Sequence, residues 1–125
     1  MGANCAHNWA MYWEGASVRS YTPERLAAIN AATVTYNGKD IDRYKATQMQ
    51  RAQERQIRAD KRAFLVAKES GQKDAEKAAA AKLAASRAKM KDFLSQTGLQ
   101  QYQLRESVPG FGRSEAASAA AQARK

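Results

Sequence analysis

Two long segments without helix breakers, separated by a single glycine, most constrain what this chain can fold into. The stretch Thr47–Arg62, TQMQRAQERQIRADKR, has no Gly or Pro and consists mostly of strong helix formers. We expect a helix from about residue 42 to 70, closed by Gly71 in a left-handed conformation. A second helix is predicted over 73–97, with Gly98 as its stop. Because the joint between them is so short, the two helices are predicted to form an antiparallel hairpin.

The first of these helices carries four arginines on one face. Arg51, Arg55, Arg58 and Arg62 are spaced four, three and four residues apart, which places them in one narrow stripe. The opposite side carries mostly small apolar residues, namely Ala46, Met49, Ala52, Ala59, Ala63, Val66 and Ala67. The helix is therefore expected to offer this small-residue face to a partner and the arginine stripe to a negatively charged group.

The composition predicts a mainly α-helical, elongated protein with a thin core. Of the 55 hydrophobic residues that the 44% share represents, 27 are alanines, which bury little surface. The larger apolar side chains of the second helix lie near one face, together with Ala75 and Ala79. These larger residues are Leu83, Met90, Phe93 and Leu94. We expect the protein to gain order from a partner rather than from its core alone.

Three segments are predicted, and the first covers residues 1–41. It begins with an irregular, aromatic stretch in which Trp9, Tyr12 and Trp13 are candidate docking residues. Thr22-Pro23-Glu24 indicates the start of a short helix that ends near Asn30. The Asn37-Gly38 pair then predicts a small β-hairpin or turn between residues 33 and 41.

The helical hairpin, 42–98, is the second segment, and residues 99–125 form the third. The third segment is expected to start with a helical turn or two and to break at Pro109-Gly110-Phe111-Gly112. This glycine pair lacks the third glycine and the preceding strand of a dinucleotide-binding loop, so we interpret it as a tight turn. Ser114 is the expected cap of a loose, alanine-rich helix over 115–123.

The sequence offers no catalytic constellation, and no cofactor is expected. Cys5 and His7 are possible zinc ligands, but no other Cys or His is present to complete a site within the chain. A site shared with another chain stays open. Glu54 and Arg58 are interpreted as an ordinary exposed helix pair. We therefore expect a protein that is not an enzyme and that takes no small-molecule substrate.

The net charge of +9 favours an acidic partner. Nucleic acid, an acidic protein surface and an anionic membrane all have this property, although the sequence has no run long enough to span a bilayer. The N-terminus lacks the order of a signal peptide, and a single cysteine is compatible with a reducing cytoplasm. For the arginine stripe, docking on an acidic protein or plain solvation is favoured over nucleic acid, because no stacking aromatic is interleaved with the arginines in sequence.

Several segments, taken in order, resemble the C-terminal part of a family of tailed-phage proteins. They are NCAHNWAMYWEG, YTPERLAAIN, YNGK, ATQMQRAQERQIRADKR, FLSQTGL and GFGRSEA. The chain is similar in these segments to phage minor capsid protein 2. Family members usually have Arg where this chain has Ala6, and they usually extend further upstream of Cys5, so a shortened, split or expressed fragment is expected.

The resemblance implies a structural protein of the phage head, located in the virion and, during assembly, in the host cytoplasm. Its expected partners are portal or capsid proteins, with DNA as a further candidate. A basic helical nucleic-acid-binding accessory protein is the alternative from another class. A regulatory protein that folds on its target is a third.

Overall fold

The computed structural model describes residues 11–18 and 21–124. The chain separates into two compact units, Met1–Ala31 and Ala32–Lys125. The predicted division at residues 41 and 98 stays a prediction of how the chain is organised. Trp9, Cys5 and His7 lie outside the described residues, so the roles proposed for them stay predictions as well.

The first unit contains α1, Pro23–Ala31. Its start follows the predicted signal, since the Thr22 hydroxyl accepts a hydrogen bond from the amide of Arg25 at 3.2 Å. Hydrogen bonds from its own backbone amide and from Thr22 lower the pKa of Glu24 below its usual value. Every residue of α1 is exposed. The unit therefore presents a short, capped helix without a buried face of its own.

The second unit begins with the predicted hairpin, formed by β1, Thr33–Tyr36, and β2, Lys39–Asp42. The strands are antiparallel, with Tyr36 opposite Lys39. Asn37 and Gly38 make the two-residue turn with φ of 51° and 72°, the combination that the Asn-Gly pair favours. Such a hairpin is marginal alone, and here its turn lies against the end of another helix. The Tyr36 ring meets Phe93 edge-on at 5.0 Å, and Gln96 Oε1 accepts from the Asn37 amide at 2.8 Å.

The predicted helical hairpin is confirmed by α2, Arg43–Glu69, and α3, Lys73–Thr97. Asp42 caps α2 by accepting from the amide of Lys45 at 3.0 Å. Gly71 and Gly98 both have positive φ, at 70° and 66°, as their predicted roles as helix stops require. Both boundaries thus follow from local sequence signals.

The core lies mainly between α2 and α3. It consists of Ile57, Phe64, Ala79, Ala80, Leu83, Met90 and Ala119. Phe93 is also fully buried, so the predicted apolar face of α3 is confirmed. The remaining elements are a 3-10 turn, Gln103–Glu106, and α4, Arg113–Ala123. α4 packs on α3 and buries Ala119 although its sequence offers few large side chains.

The small-residue face of α2, which is expected to meet a partner, is mostly not the side that packs on α3, and that expectation stays a prediction. Val66 is 70% exposed, and Ala52, Ala59 and Ala63 are exposed too. The helix is instead rotated so that Ile57 and Phe64 are buried, because these larger side chains remove more apolar surface from water than alanines do. Gln50, Glu54, Asp60 and Lys61 become buried with them.

The expected cap of the last helix also differs. α4 starts at Arg113, so Ser114 lies within its first turn and Gly112 takes the cap position. The Glu115 carboxylate accepts from the Gly112 amide at 3.1 Å, which satisfies a helix-end donor in place of a serine hydroxyl. This hydrogen bond and one from its own backbone amide lower the pKa of Glu115.

Candidate functional site

The arginine stripe lies mostly on the solvent side of α2. Arg51, Arg55 and Arg62 are exposed, whereas Arg58 is half-buried. Within residues 11–18 and 21–124, none of the four forms an ion pair. Three guanidinium groups are therefore available to a negatively charged partner.

Arg58 is used differently. Its guanidinium donates a hydrogen bond through Nη1 to the backbone carbonyl of Arg105, in the 3-10 turn. The sequence pattern places Arg58 in the stripe, but the structure gives it a bond that holds another part of the chain. Its guanidinium is thus engaged within the chain, and the fully exposed members of the stripe are Arg51, Arg55 and Arg62.

Two further side chains of α2 bond the same loop. Gln50 Nε2 donates to the carbonyl of Gln100 at 2.8 Å, and Lys61 Nζ donates to the carbonyl of Glu106 at 2.6 Å. We call these bonds, together with that of Arg58, the carbonyl clasp. They satisfy backbone groups of residues 99–112 that have no strand or long helix to pair with. The clasp therefore fixes the position of this loop along α2.

Lys61 is an uncommon residue to find buried. Burial lowers the pKa of its ammonium group, and the nearby Arg87 lowers it further, while Glu106 acts in the opposite direction. The loss of hydration is offset in part by the bond to the Glu106 carbonyl and by the Phe111 ring, whose centroid lies 5.5 Å from Nζ. The Lys61 ammonium group is thus stabilised by a carbonyl oxygen and an aromatic face.

Phe111 anchors the far end of the loop. Its ring meets Phe64 edge-on at 6.1 Å, and the Arg87 guanidinium lies 5.7 Å from its centroid. The Phe111 amide bonds the carbonyl of Val108 at 3.1 Å, and Gly110 has φ of 81°. The tight turn thus has Pro109 and Gly110 at its centre, at the start of the predicted Gly110-Phe111-Gly112 turn, and it places the Phe111 ring against the core.

The interpretation of Glu54 and Arg58 as an exposed pair is wrong. Glu54 is only 2% exposed, and the cation nearest its carboxylate belongs to Arg105, with Nη1 3.9 Å from Oε1. At that distance Oε1 accepts no hydrogen bond. Burial raises the pKa of Glu54, and the charge of Arg105 opposes the rise. The loop thus covers a carboxylate that a helix surface would otherwise have left in water.

Arg105 also completes a basic cleft that the sequence pattern does not show. Three arginines line it, Arg43 and Arg51 from α2 and Arg105 from the 3-10 turn, together with Tyr102. The cleft has a volume of about 310 Å³, and its lining contains no acidic side chain. We call this group the basic cleft. Of its members, Arg51 belongs to the stripe predicted from the sequence. Tyr102 directly precedes the 3-10 turn, and the Arg105 guanidinium lies 4.1 Å from its ring centroid.

Two exposed tyrosines accompany the arginines of this region, although no aromatic is interleaved with the stripe in the sequence. Tyr102 is 43% exposed within the basic cleft, and Tyr44 is 71% exposed. Tyr44 precedes Arg51 by seven residues, or two helical turns, and therefore lies on the same face of α2. The spacing of residues in the sequence did not indicate either tyrosine, because Tyr44 lies outside Thr47–Arg62 and Tyr102 belongs to a distant loop.

Two of the predicted docking aromatics lie among the described residues. Tyr12 and Trp13 are exposed, as are their neighbours Met11 and Val18. A turn follows Trp13, since the Ser17 amide bonds the Trp13 carbonyl at 2.8 Å and the Ser17 hydroxyl accepts from the Trp13 amide at 2.9 Å. This arrangement places apolar and aromatic surface in water, but it does not by itself identify a partner.

Two features are absent from the residues that the structure describes. No group of three or more His, Cys, Asp or Glu side chains is placed to hold a metal ion. No described helix has both the length and the apolar character needed to cross a membrane.

Comparison with known proteins identifies one family. The sequence model of phage minor capsid protein 2 matches residues 1–95, which is 95 of the 125 residues and includes α2 and most of α3. The loop of the carbonyl clasp and α4 lie beyond the matched region. Neither the curated proteins nor the solved structures include a significant match to the chain. On the strength of the family match, the chain belongs to the phage minor capsid protein 2 family and is a phage structural protein.

Proposed function

We propose that the protein is a minor component of the phage head that docks on an acidic surface of a portal or capsid protein. Membership of a minor capsid family supports a place in the virion and a structural rather than catalytic role. The observation that carries the docking proposal is the state of Arg51, Arg55 and Arg62. All three are exposed, and none forms an ion pair within the described part of the chain.

The geometry of α2 suits docking because the stripe is held on a fixed element. Its buried side contacts α3, and the carbonyl clasp ties it to residues 99–112. The arginines therefore approach a partner without ordering a new backbone, which lowers the entropic cost of binding. Guanidinium groups suit carboxylates through their planar pair of donors. Exposed Tyr12 and Trp13 are proposed to add apolar contact at the same partner.

A matched pair of variants tests the stripe. The stripe variant, Arg51→Gln/Arg55→Gln/Arg62→Gln, leaves Arg58 in place because that side chain holds the loop. The control, Lys77→Gln/Lys82→Gln/Lys89→Gln, removes the same charge from exposed positions of α3. Each chain replaces the wild type during infection, and mass spectrometry of purified, nuclease-treated particles measures peptides of residues 43–125 relative to the major capsid protein.

We expect the wild type at a low, fixed ratio, the control at nearly the same ratio, and the stripe variant several-fold lower. Rim charges act mostly on association rate and on its salt dependence. A wild-type chain that is present in infected cells but absent from particles would contradict the head-protein proposal. Equal incorporation of the stripe variant and the control would contradict the role of the arginines while leaving the location intact.

A further inference from the structure

The basic cleft places cations on both sides of a groove. Arg43 and Arg51 are eight residues apart, about 12 Å along the axis of α2, and Arg105 lines the same cleft from the 3-10 turn. Neither Arg43 nor Arg51 forms an ion pair within the described part of the chain. Among the described residues, the acidic group paired with these arginines is Glu54, which lies 3.9 Å from Arg105 and is buried behind it. The Asp42 carboxylate, next to Arg43 in the chain, caps α2. The cleft is therefore strongly electropositive.

Its dimensions suit a chain of anions rather than one small anion. A single phosphate or carboxylate contacts one or two guanidinium groups, whereas a span of about 12 Å accommodates successive charged groups of a polymer. The first turn of α2 contains Arg43 and no acidic residue, although the Asp42 carboxylate caps the helix beside it. A polyanion with charges at regular, short intervals fits this arrangement best.

The exposed tyrosines distinguish between polyanions. Tyr102 lies in the cleft, and Tyr44 lies on the arginine face of α2, two turns before Arg51. Arginines that follow a backbone, combined with aromatic rings on which bases stack, are typical of single-stranded nucleic acid sites. An acidic peptide would use the guanidinium groups but not the rings, and a duplex keeps the faces of its bases covered.

We propose that the basic cleft binds a single-stranded nucleic acid segment, with Arg43, Arg51 and Arg105 contacting phosphates and Tyr44 or Tyr102 stacking on a base. This site does not depend on the proposed docking of the arginine stripe, because Arg43, Arg105 and both tyrosines are not part of that stripe. Arg51 is the one residue that the two surfaces share.

The test uses the full chain and a fluorescein-labelled oligothymidylate of about 12 nucleotides, within the usual range of site sizes. Binding is measured by fluorescence anisotropy at several salt concentrations. The cleft variant is Arg43→Gln/Arg51→Gln. Its matched control is Arg55→Gln/Arg62→Gln, which removes the same charge from the same helix outside the cleft. A third variant, Tyr44→Ala, removes an exposed ring, and circular dichroism confirms that each variant is folded.

We expect the cleft variant to bind at least about tenfold more weakly than the control, and its salt slope to fall by about 1.4, since each lost phosphate contact on a single strand lowers the slope by about 0.7. If the Tyr44 ring stacks on a base, Tyr44→Ala is expected to weaken binding about fivefold or more. If the Tyr102 ring stacks instead, Tyr102→Ala is expected to have that effect. An unlabelled duplex of the same length should compete less well than the single strand.

Three results would overturn the proposal. Equal losses in the cleft variant and in the control would show diffuse attraction by the +9 charge rather than a site. Equal competition by polyglutamate of matched charge would show a site for acidic protein. No saturable binding of the wild type at low salt would show that the cleft takes no nucleic acid.

Discussion

Phe111 is the side chain whose removal should most directly separate the loop 99–112 from the helical hairpin. Its ring contacts Phe64 in the core, and Lys61 and Arg87 lie over its faces at 5.5 and 5.7 Å. A fully buried Phe→Ala change costs about 3–5 kcal/mol. Because Phe111 is only half-buried, we take about 2 kcal/mol for the lost burial. The edge contact and the two cations add about 1 kcal/mol together.

Phe111→Ala should therefore lower the free energy of unfolding by about 3 kcal/mol. At roughly 5 °C per kcal/mol for a unit of this size, the melting temperature should fall by about 15 °C. Urea and thermal unfolding followed by far-UV circular dichroism measure both quantities. Limited trypsin digestion should also cut more readily after Arg105, since the loop opens locally once its anchor is lost.

Two control variants define the expected pattern. Phe111→Leu retains most of the apolar burial and should cost only about 1 kcal/mol. Tyr44→Ala removes an aromatic ring that is exposed, so it should change stability by less than about 0.5 kcal/mol. If Phe111→Ala unfolded within about 0.5 kcal/mol of the wild type, Phe111 would not be the anchor of the loop.

Three further changes test other parts of the second unit. The folded-state pKa of Glu54 is raised above its ordinary value of 4.5, so the free energy of unfolding should fall as pH rises from 4.5 through the raised pKa. In urea titrations across that range, the free energy of unfolding of Glu54→Gln should depend less on pH than that of the wild type. Lys61→Met removes the donor to the buried Glu106 carbonyl and should lower the free energy of unfolding by about 1 kcal/mol at neutral pH, measured by the same titration. An unchanged free energy of unfolding would show that this hydrogen bond is dispensable. Gly38→Ala forces a side chain into φ of 72° and should cost about 1–2 kcal/mol, whereas Gly38→Asn should cost less because asparagine tolerates that region; equal costs in thermal unfolding would count against this explanation.

The helices and the hairpin could be predicted because their boundaries depend on local chemistry. Asn37-Gly38 sets the turn, and Gly71 and Gly98 end the helices in the left-handed conformation that their sequence positions require. The predicted spans, 42–70 and 73–97, differ by at most one residue at each end from the observed helices. None of these features needs information about distant parts of the chain.

The rotation of α2 could not be predicted in the same way. The periodicity of small residues indicated one face, but packing on α3 buries Ile57 and Phe64, which lie on another. Local spacing gives the angle between two side chains on a helix and not which of them faces the neighbour. That choice depends on α3 and on residues 99–112, including the carbonyl of Gln100, 50 positions after Gln50.

The basic cleft shows the same limit for function. Arg51 was identified from its spacing, whereas Arg43 was not, because it lies outside the stretch that carries the stripe. Arg105 and Tyr102 follow both long helices in the sequence, and they line the same cleft because the chain runs back along α2. A cluster assembled across more than 50 positions leaves no periodic signal. The same fold that places Tyr102 in the cleft also removes Arg58 from the stripe.

These two outcomes have one physical origin, the carbonyl clasp. The buried side of α2 carries Gln50 and Lys61, and such polar groups are costly in a core unless each finds a partner. The carbonyls of residues 99–112 supply those partners in the observed rotation of the helix. A rotation that buried the alanines instead would turn Gln50 and Lys61 away from the loop and leave its carbonyls without these donors. The loop thus stabilises the observed orientation of α2, in which Arg51, Arg55 and Arg62 face solvent. The arginine stripe therefore depends on residues 99–112, a segment that begins 30 residues after α2 ends.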